Sequence, residues 1–198
     1  MISRWRTALL ALAGVAGGAA LAPDAALAQA APIEAAPLPL ATKRVAASAE
    51  ECAVWRREQS FARSVENHDP RAFVSHLHPG TVFNAGSVGA ERGRDAVAQS
   101  WAEIVDGRAI ALRWRPGIVQ IGGEASIALS RGPYILQRLQ GGAPVFRVGM
   151  YQTVWVRERG GEAWTVLFDG SASAAQPMAD RAAAERWVEE QAMSDCAP

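Results

Sequence analysis

The chain has 198 residues, 49% of them hydrophobic, and its 20 basic and 20 acidic side chains cancel. That length carries one domain with a substantial core. The balanced charge argues against the basic surface of a nucleic-acid binder or of a protein held on an anionic membrane.

Residues 1–30 read as a secretory signal peptide. Arg4 and Arg6 give a short positive start, an apolar run from Thr7 to Leu21 follows, and Ala26-Leu27-Ala28-Gln29-Ala30 offers small-x-small cleavage patterns. The run is short and rich in Gly and Ala, which suits a cleaved signal better than a membrane span of about 20 apolar residues. No Cys stands at the cleavage point to carry a lipid. The expected location is periplasmic or secreted, with no membrane span after signal cleavage. Residues 31–47 contain Pro32, Pro37 and Pro39 without apolar periodicity and read as an Ala/Pro-rich linker. Cys52 and Cys196 lie near the two ends of the mature chain. An oxidising compartment favours their pairing, because domain termini often lie close in space.

Ser48-Ala49-Glu50-Glu51 is a capping box that opens a helix running to about Asn67. Its apolar stripe is Val54, Trp55, Phe61, Ala62 and Val65. Glu58 falls inside that stripe, so its carboxylate is either paired with an Arg or directed into a cavity. Asp69-Pro70 opens a second, short helix with Phe73, Val74 and Leu77 inward, stopped by His78-Pro79-Gly80. A short strand follows from Thr81 to Asn84. A Gly-rich loop then leads to a third helix, Arg94 to about Val105, with Val97, Trp101 and Ile104 inward. From Arg108 the pattern turns to strands at 109–115, 118–121 and 126–139, punctuated by Pro116-Gly117, Gly122-Gly123 and Gly141-Gly142. A further alternating strand places Gly149, Tyr151, Thr153 and Trp155 on one face. It leads through Gly160-Gly161 to a strand from Trp164 to Asp169. Short turns make neighbouring strands antiparallel. Met178 to Met193 reads as a helix with Met178, Ala182, Trp187 and Val188 on its apolar face.

This order predicts an α+β fold. Three N-terminal helices pack in the concave face of a strongly curved antiparallel sheet, a cone spanning residues 48–172. A C-terminal helical tail occupies 173–198.

Several motifs, taken in order, resemble the nuclear-transport-factor-2-like superfamily of cone-shaped α+β proteins. They are Glu58-x-x-Phe61-Ala62, Asp69 ahead of a short helix, His78-x-x-Thr81-Val82-Phe83 and Leu112-x-Trp114-x-Pro116. Gly132-x-Tyr134, Gly149-x-Tyr151-x-x-Val154-Trp155 and Trp164-x-x-x-x-Asp169 complete the series. The likeness is nearest to exported members beside the polyketide-cyclase-like and kinase-association-domain-like branches. The superfamily contains enzymes, binders and dimerisation modules, so the fold does not settle function. Ketosteroid isomerases of this fold use a Tyr on the first helix, an Asp base ending the first strand and a protonated Asp on a later strand. The matching positions here are Phe61, Asn84 and Thr153. Phe donates no hydrogen bond and Asn accepts no proton, so the resemblance does not bring that chemistry with it.

No phosphate loop, dinucleotide fingerprint or nucleophile elbow occurs. His76 and His78 read as solvated helix-end residues without a Cys or carboxylate at ligand spacing. No metal and no cofactor is expected. The pocket-lining candidates are Glu58, Phe61, Phe83, Asn84, Trp101, Tyr134, Tyr151, Thr153 and Asp169, aromatic walls with a few polar groups. Strict alternation sets Asp169 opposite Trp164 and Phe168, so one set faces the cone and the other does not. The leading expectation is a protein that binds a small apolar or amphipathic molecule, forms a homodimer through its sheet and binds no nucleic acid. The alternatives are a small lyase, isomerase or hydrolase using Glu58 or Asp169 with a Tyr hydroxyl, and a non-catalytic dimerisation module with a filled cone.

Overall fold

The computed structural model describes residues 44–198 except 109, 159, 160, 162, 194 and 198. The expected signal peptide, most of the expected linker and Gly160 of the second turn lie outside the described residues.

Local chemistry starts each helix. Ser48 Oγ accepts from the Glu51 N–H at 3.1 Å, and the Ser48 N–H donates to the Glu51 carboxylate at 2.8 Å, which opens α1 (Ala49–Glu66). Asp69 accepts from the N–H groups of Arg71 and Ala72 to open α2 (Pro70–Ser75). The expected third helix is two pieces, α3 (Arg94–Ser100) and α4 (Ala102–Val105), with the break at Trp101. Its indole is wedged between Phe73 and Phe83, at ring distances of 5.5 and 5.0 Å.

Ahead of α1 comes β1 (Arg44–Ala46). The chain also forms β2 (Leu77–Phe83), β3 (Glu91–Arg92), β4 (Ile110–Trp114), β5 (Ile118–Gly122), β6 (Ile127–Gln140), β7 (Ala143–Arg157), β8 (Trp164–Ser171) and β9 (Gln176–Met178). The main sheet runs β3-β2-β8-β7-β6-β4, with β5 also beside β6 and β9 beside β7. Its spine is the long β6–β7 hairpin, closed by Gly141-Gly142 at φ 59° and 80°. Positive φ at both residues is what a two-residue hairpin turn with the right twist requires, and Gly adopts it without strain. β4 and β5 share one edge of β6, broken at Arg115-Pro116-Gly117. Gly132 faces that break. A Cβ there would lie 2.1 Å from the Arg115 carbonyl and 2.9 Å from the Tyr151 ring. A glycine kink of this kind curls a sheet, here into the cone.

The sheet is mixed, not wholly antiparallel as the turns suggested: β2 runs parallel to β8. Short turns dictate antiparallel pairing only between strands they join. β2 and β8 are separated by α3, α4 and five other strands.

The helices α1 to α4 fill the concave face together with Phe83, Trp114, Tyr134, Tyr151 and Trp155. The convex face carries a second core, where α5 (Arg181–Gln191) lays Ala184 and Val188 on Ile135, Phe146 and Val148. Ala182, expected inward, is exposed, and Met178 belongs to β9. Asp180 accepts from the Ala183 N–H and starts the helix at Arg181, which resets the phase of its apolar stripe.

Beyond α5, β10 (Asp195–Ala197) pairs in parallel with β1. The last residues of the expected linker are thus a paired strand. Cys52 and Cys196 form a disulfide with Cα atoms 5.3 Å apart, bringing the two ends of the domain together. None of the described helices is long and apolar enough to cross a membrane.

Candidate functional site

The narrow end of the cone is built around one carboxyl. Glu58, on the inward face of α1, is fully buried. Trp114, at the end of β4, donates its indole N–H to Oε1 at 2.7 Å, and Trp155, on β7, donates to Oε2 at 2.7 Å. Burial pushes the Glu58 carboxyl up to about 7, against the pull of the two indole bonds, and the nearby Asp169 carboxyl adds to the rise. The partners are therefore two indoles and not the guanidinium of a salt bridge. Phe61 packs over this carboxyl, edge-on to Trp114 at 5.2 Å and to Trp155 at 6.0 Å, and stacked on Phe73 at 5.4 Å. The floor is closed by rings.

Above the floor lies a cavity of about 200 Å³. Phe61, Trp101, Trp114, Tyr134 and Tyr151 supply its rings, and Ile104, Leu112 and Leu136 its aliphatic wall. Asn84, Asp169, Gly170 and Ser171 complete the lining. Asn84 sits at the exposed rim with φ 53°, a left-handed conformation that Asn tolerates. Beside it the Ala85 N–H bonds the Asp169 carbonyl at 3.0 Å, tying the rim to β8.

Asp169 reaches the cavity through a bulge. In the β7–β8 ladder Trp155 pairs with Val166, but the next residue, Val154, pairs with Phe168. One extra residue of β8 is accommodated there, and alternation restarts on the other foot. Trp164, Val166 and Asp169 consequently face inward, while Phe168 turns out and is 40% exposed. Thr153, directly across from Asp169, donates its hydroxyl to Oδ2 at 2.8 Å. Burial pushes the Asp169 carboxyl up to about 6, with the Thr153 bond acting against the rise. Tyr151 shares a hydrogen bond with Ser130 at 3.1 Å, and burial raises its phenol well above the ordinary value.

Of the nine candidate residues, Phe61, Asn84, Trp101, Tyr134, Tyr151 and Asp169 line the cavity. Glu58 and Phe83 lie in the core beneath it, and Thr153 stands behind Asp169. Leu112, Trp114 and Leu136 were missed as lining. Their signal was cross-strand register, since Leu112 pairs with Leu136 and Trp114 with Tyr134. His76 is a correction: it is buried, with Nδ1 2.6 Å from the Ala72 carbonyl and Nε2 3.2 Å from Ser60 Oγ. Its place at the end of α2 points it at Phe61, not at solvent. Among the described residues, no group of three His, Cys, Asp or Glu side chains is placed to hold a metal ion.

No family model matches the chain, and no curated protein does. Solved structures do. A nuclear transport factor 2-like superfamily protein from Salmonella enterica serovar Typhimurium aligns with a TM-score of 0.50 at 17% identity, covering 67% of this chain and 96% of its own. A ketosteroid isomerase-like protein from Erwinia carotovora atroseptica aligns with a TM-score of 0.51 at 14% identity, covering 64% of this chain and 100% of its own.

The chain has the nuclear-transport-factor-2-like fold.

At such identities the likeness is one of fold. Within the nuclear-transport-factor-2-like cone, the three positions matched to isomerase groups have separate fates. Phe61 and Asn84 line the cavity, and Thr153 serves as the hydrogen-bond donor to Asp169. The carboxyl that this cone presents comes from the strand next to Thr153, through the bulge in β8.

Proposed function

We propose that the chain is an exported protein that binds a small, largely apolar molecule at the open end of its cone. The observation that carries this reading is the cavity of about 200 Å³ between five aromatic side chains and Asp169. An apolar cavity of about 150 Å³ in an unrelated protein stays dry and takes up benzene, so a single ring with a short substituent is the right scale. A module with a filled cone would leave no such space. The test is a titration of the full chain with neutral single-ring probes, read by tryptophan fluorescence, since Trp101 and Trp114 line the site. Saturable quenching that Leu136→Trp abolishes supports the reading. Quenching that persists unchanged in that variant refutes it.

Asp169 favours a second reading. A carboxyl pushed up to about 6 in an apolar cavity, with the Tyr134 hydroxyl on the same wall, is poised for general acid–base work. An enzyme of the lyase, isomerase or hydrolase kind would lose turnover in Asp169→Asn, whereas a binder would lose only affinity.

Export rests on the signal pattern of residues 1–30 and on the Cys52–Cys196 disulfide, which suits the periplasm or the exterior. Dimerisation through the sheet rests on the convex face left beside α5, where Ile127 and Phe168 are exposed. Light scattering of the purified protein tests the dimer, and Phe168→Asp is expected to give a monomer.

A further inference from the structure

We infer that the molecule taken up by this cavity carries a positive charge: a small amine, held between the Asp169 carboxylate and the faces of the surrounding rings. The inference rests on the proposal above that the cavity binds a small molecule.

Four observations converge on it. First, among the described residues no Arg, Lys or His lines the cavity, although the chain is rich in Arg. Second, among the described residues Asp169 accepts a hydrogen bond from Thr153 at Oδ2, and a carboxylate with one such bond keeps further acceptor sites. A carboxylate oxygen with free lone pairs in an apolar site selects a donor, and a charged donor makes the stronger bond. Third, Glu58 beneath Asp169 takes its hydrogen bonds from two indoles, so among the described residues the cavity and its floor hold two carboxyls and no cation. Fourth, Trp101, Trp114 and Tyr134 present rings to the same space, and ring faces attract cations. A neutral apolar ligand would use the rings and ignore the carboxylate. An anion would be repelled by the Asp169 carboxylate. An ammonium group on a ring-sized body satisfies all of these features.

The groups facing Asp169 can be named from each element packed around it. They are Glu58 from α1, Tyr134 and Ser130 from β6, Thr153 and Tyr151 from β7, and Asn84 from the end of β2. On the other side of the sheet Arg131, paired with Gln152, shares an outer pocket with Asp169 and lies outside the cavity. The carboxylate form of Asp169, favoured above about pH 6, is the form that binds an ammonium ion.

The experiment compares 2-phenylethylamine with 2-phenylethanol, which share ring and chain length, in fluorescence titrations of the full chain at pH 5 and pH 8. The amine stays protonated at both, as a lysine amine does. The expected result is that the amine binds about tenfold tighter than the alcohol at pH 8, the size of one charge-assisted hydrogen bond. Its affinity should fall about tenfold at pH 5, while that of the alcohol holds, because only the amine is linked to carboxylate ionisation. Asp169→Asn should erase the preference for the amine over the alcohol, and Glu58→Gln should retain it. Equal binding of the two probes overturns the positive charge and leaves the apolar cavity standing. Binding of neither probe overturns both. The selectivity of the unmodified chain decides the matter even if a variant fails to fold.

Discussion

Glu58 and Trp155, 97 residues apart in sequence, meet in a hydrogen bond of 2.7 Å with both side chains fully buried. Trp114 makes the same bond to the other carboxyl oxygen. One side chain of α1 thereby clamps two strands of the sheet. Glu58→Leu leaves both indole N–H groups unpaired, at about 1–3 kcal/mol each. A loss of about 2–5 kcal/mol in urea denaturation is expected, and Glu58→Gln, which keeps one acceptor, should lose less.

The pH dependence of stability follows from three buried groups. Glu58 and Asp169 are raised to about 7 and about 6, above their unfolded values, so their contribution is complete at low pH and is lost as pH rises through those values. His76 is lowered to about 4 by burial and by the neighbouring Arg57, so its contribution is present above its unfolded value and is lost as pH falls. Between about pH 4.5 and 6 the two carboxyls lose more than His76 gains, so the three groups together make the fold less stable as pH rises. From about pH 6.5 to 8 unfolding should become easier by about 1 kcal/mol, most of it removed by Glu58→Gln. Denaturant midpoints across that range check this, and stability rising toward pH 8 would contradict it.

Gly132 and Gly149 separate fold from site. A Cβ at Gly132 would meet backbone 2.1 Å away, so Gly132→Ala should cost about 3 kcal/mol or more, the upper range for overpacking. The nearest atoms to a Cβ at Gly149 are those of the Tyr134 side chain, its ring and hydroxyl 2.6–2.8 Å away. Tyr134 lines the cavity, so Gly149→Ala should push the ring into that space. Probe affinity should then fall several-fold with a smaller change in thermal midpoint.

The disulfide closes a loop with a sequence separation of 144, for which chain entropy gives about 5 kcal/mol as an upper figure. Replacing Cys52 and Cys196 together by Ala should lower stability by about 3–5 kcal/mol. A reducing agent should do the same to the unmodified chain and nothing to the double variant.

The parts of this structure that were legible in the sequence are those that local chemistry decides. Ser48 and Asp69 cap the helices that their residue types predict, and the Gly141-Gly142 pair closes the β6–β7 hairpin. The inward face of Tyr151, Thr153 and Trp155 followed from alternation alone. What escaped was set by partners distant in the chain. The bulge in β8 exists only against β7, and it reverses the side on which Asp169 emerges. The parallel pairing of β2 with β8 has no local signature. Glu58 announced itself as a carboxylate on an apolar stripe, but nothing near it in sequence named two tryptophans as its partners.

The proposed ligand occupies the space between Trp101, Trp114 and Asp169. The most direct measurement is a nitrogen-resolved NMR titration of the labelled protein with a neutral single-ring probe, following the indole N–H signals and the Asp169 amide. Saturable shifts are expected at Trp101, Trp114 and Asp169, with Trp187 on the convex side unmoved. Shifts confined to Trp187 and its surroundings, or none at all up to the solubility of the probe, would contradict it.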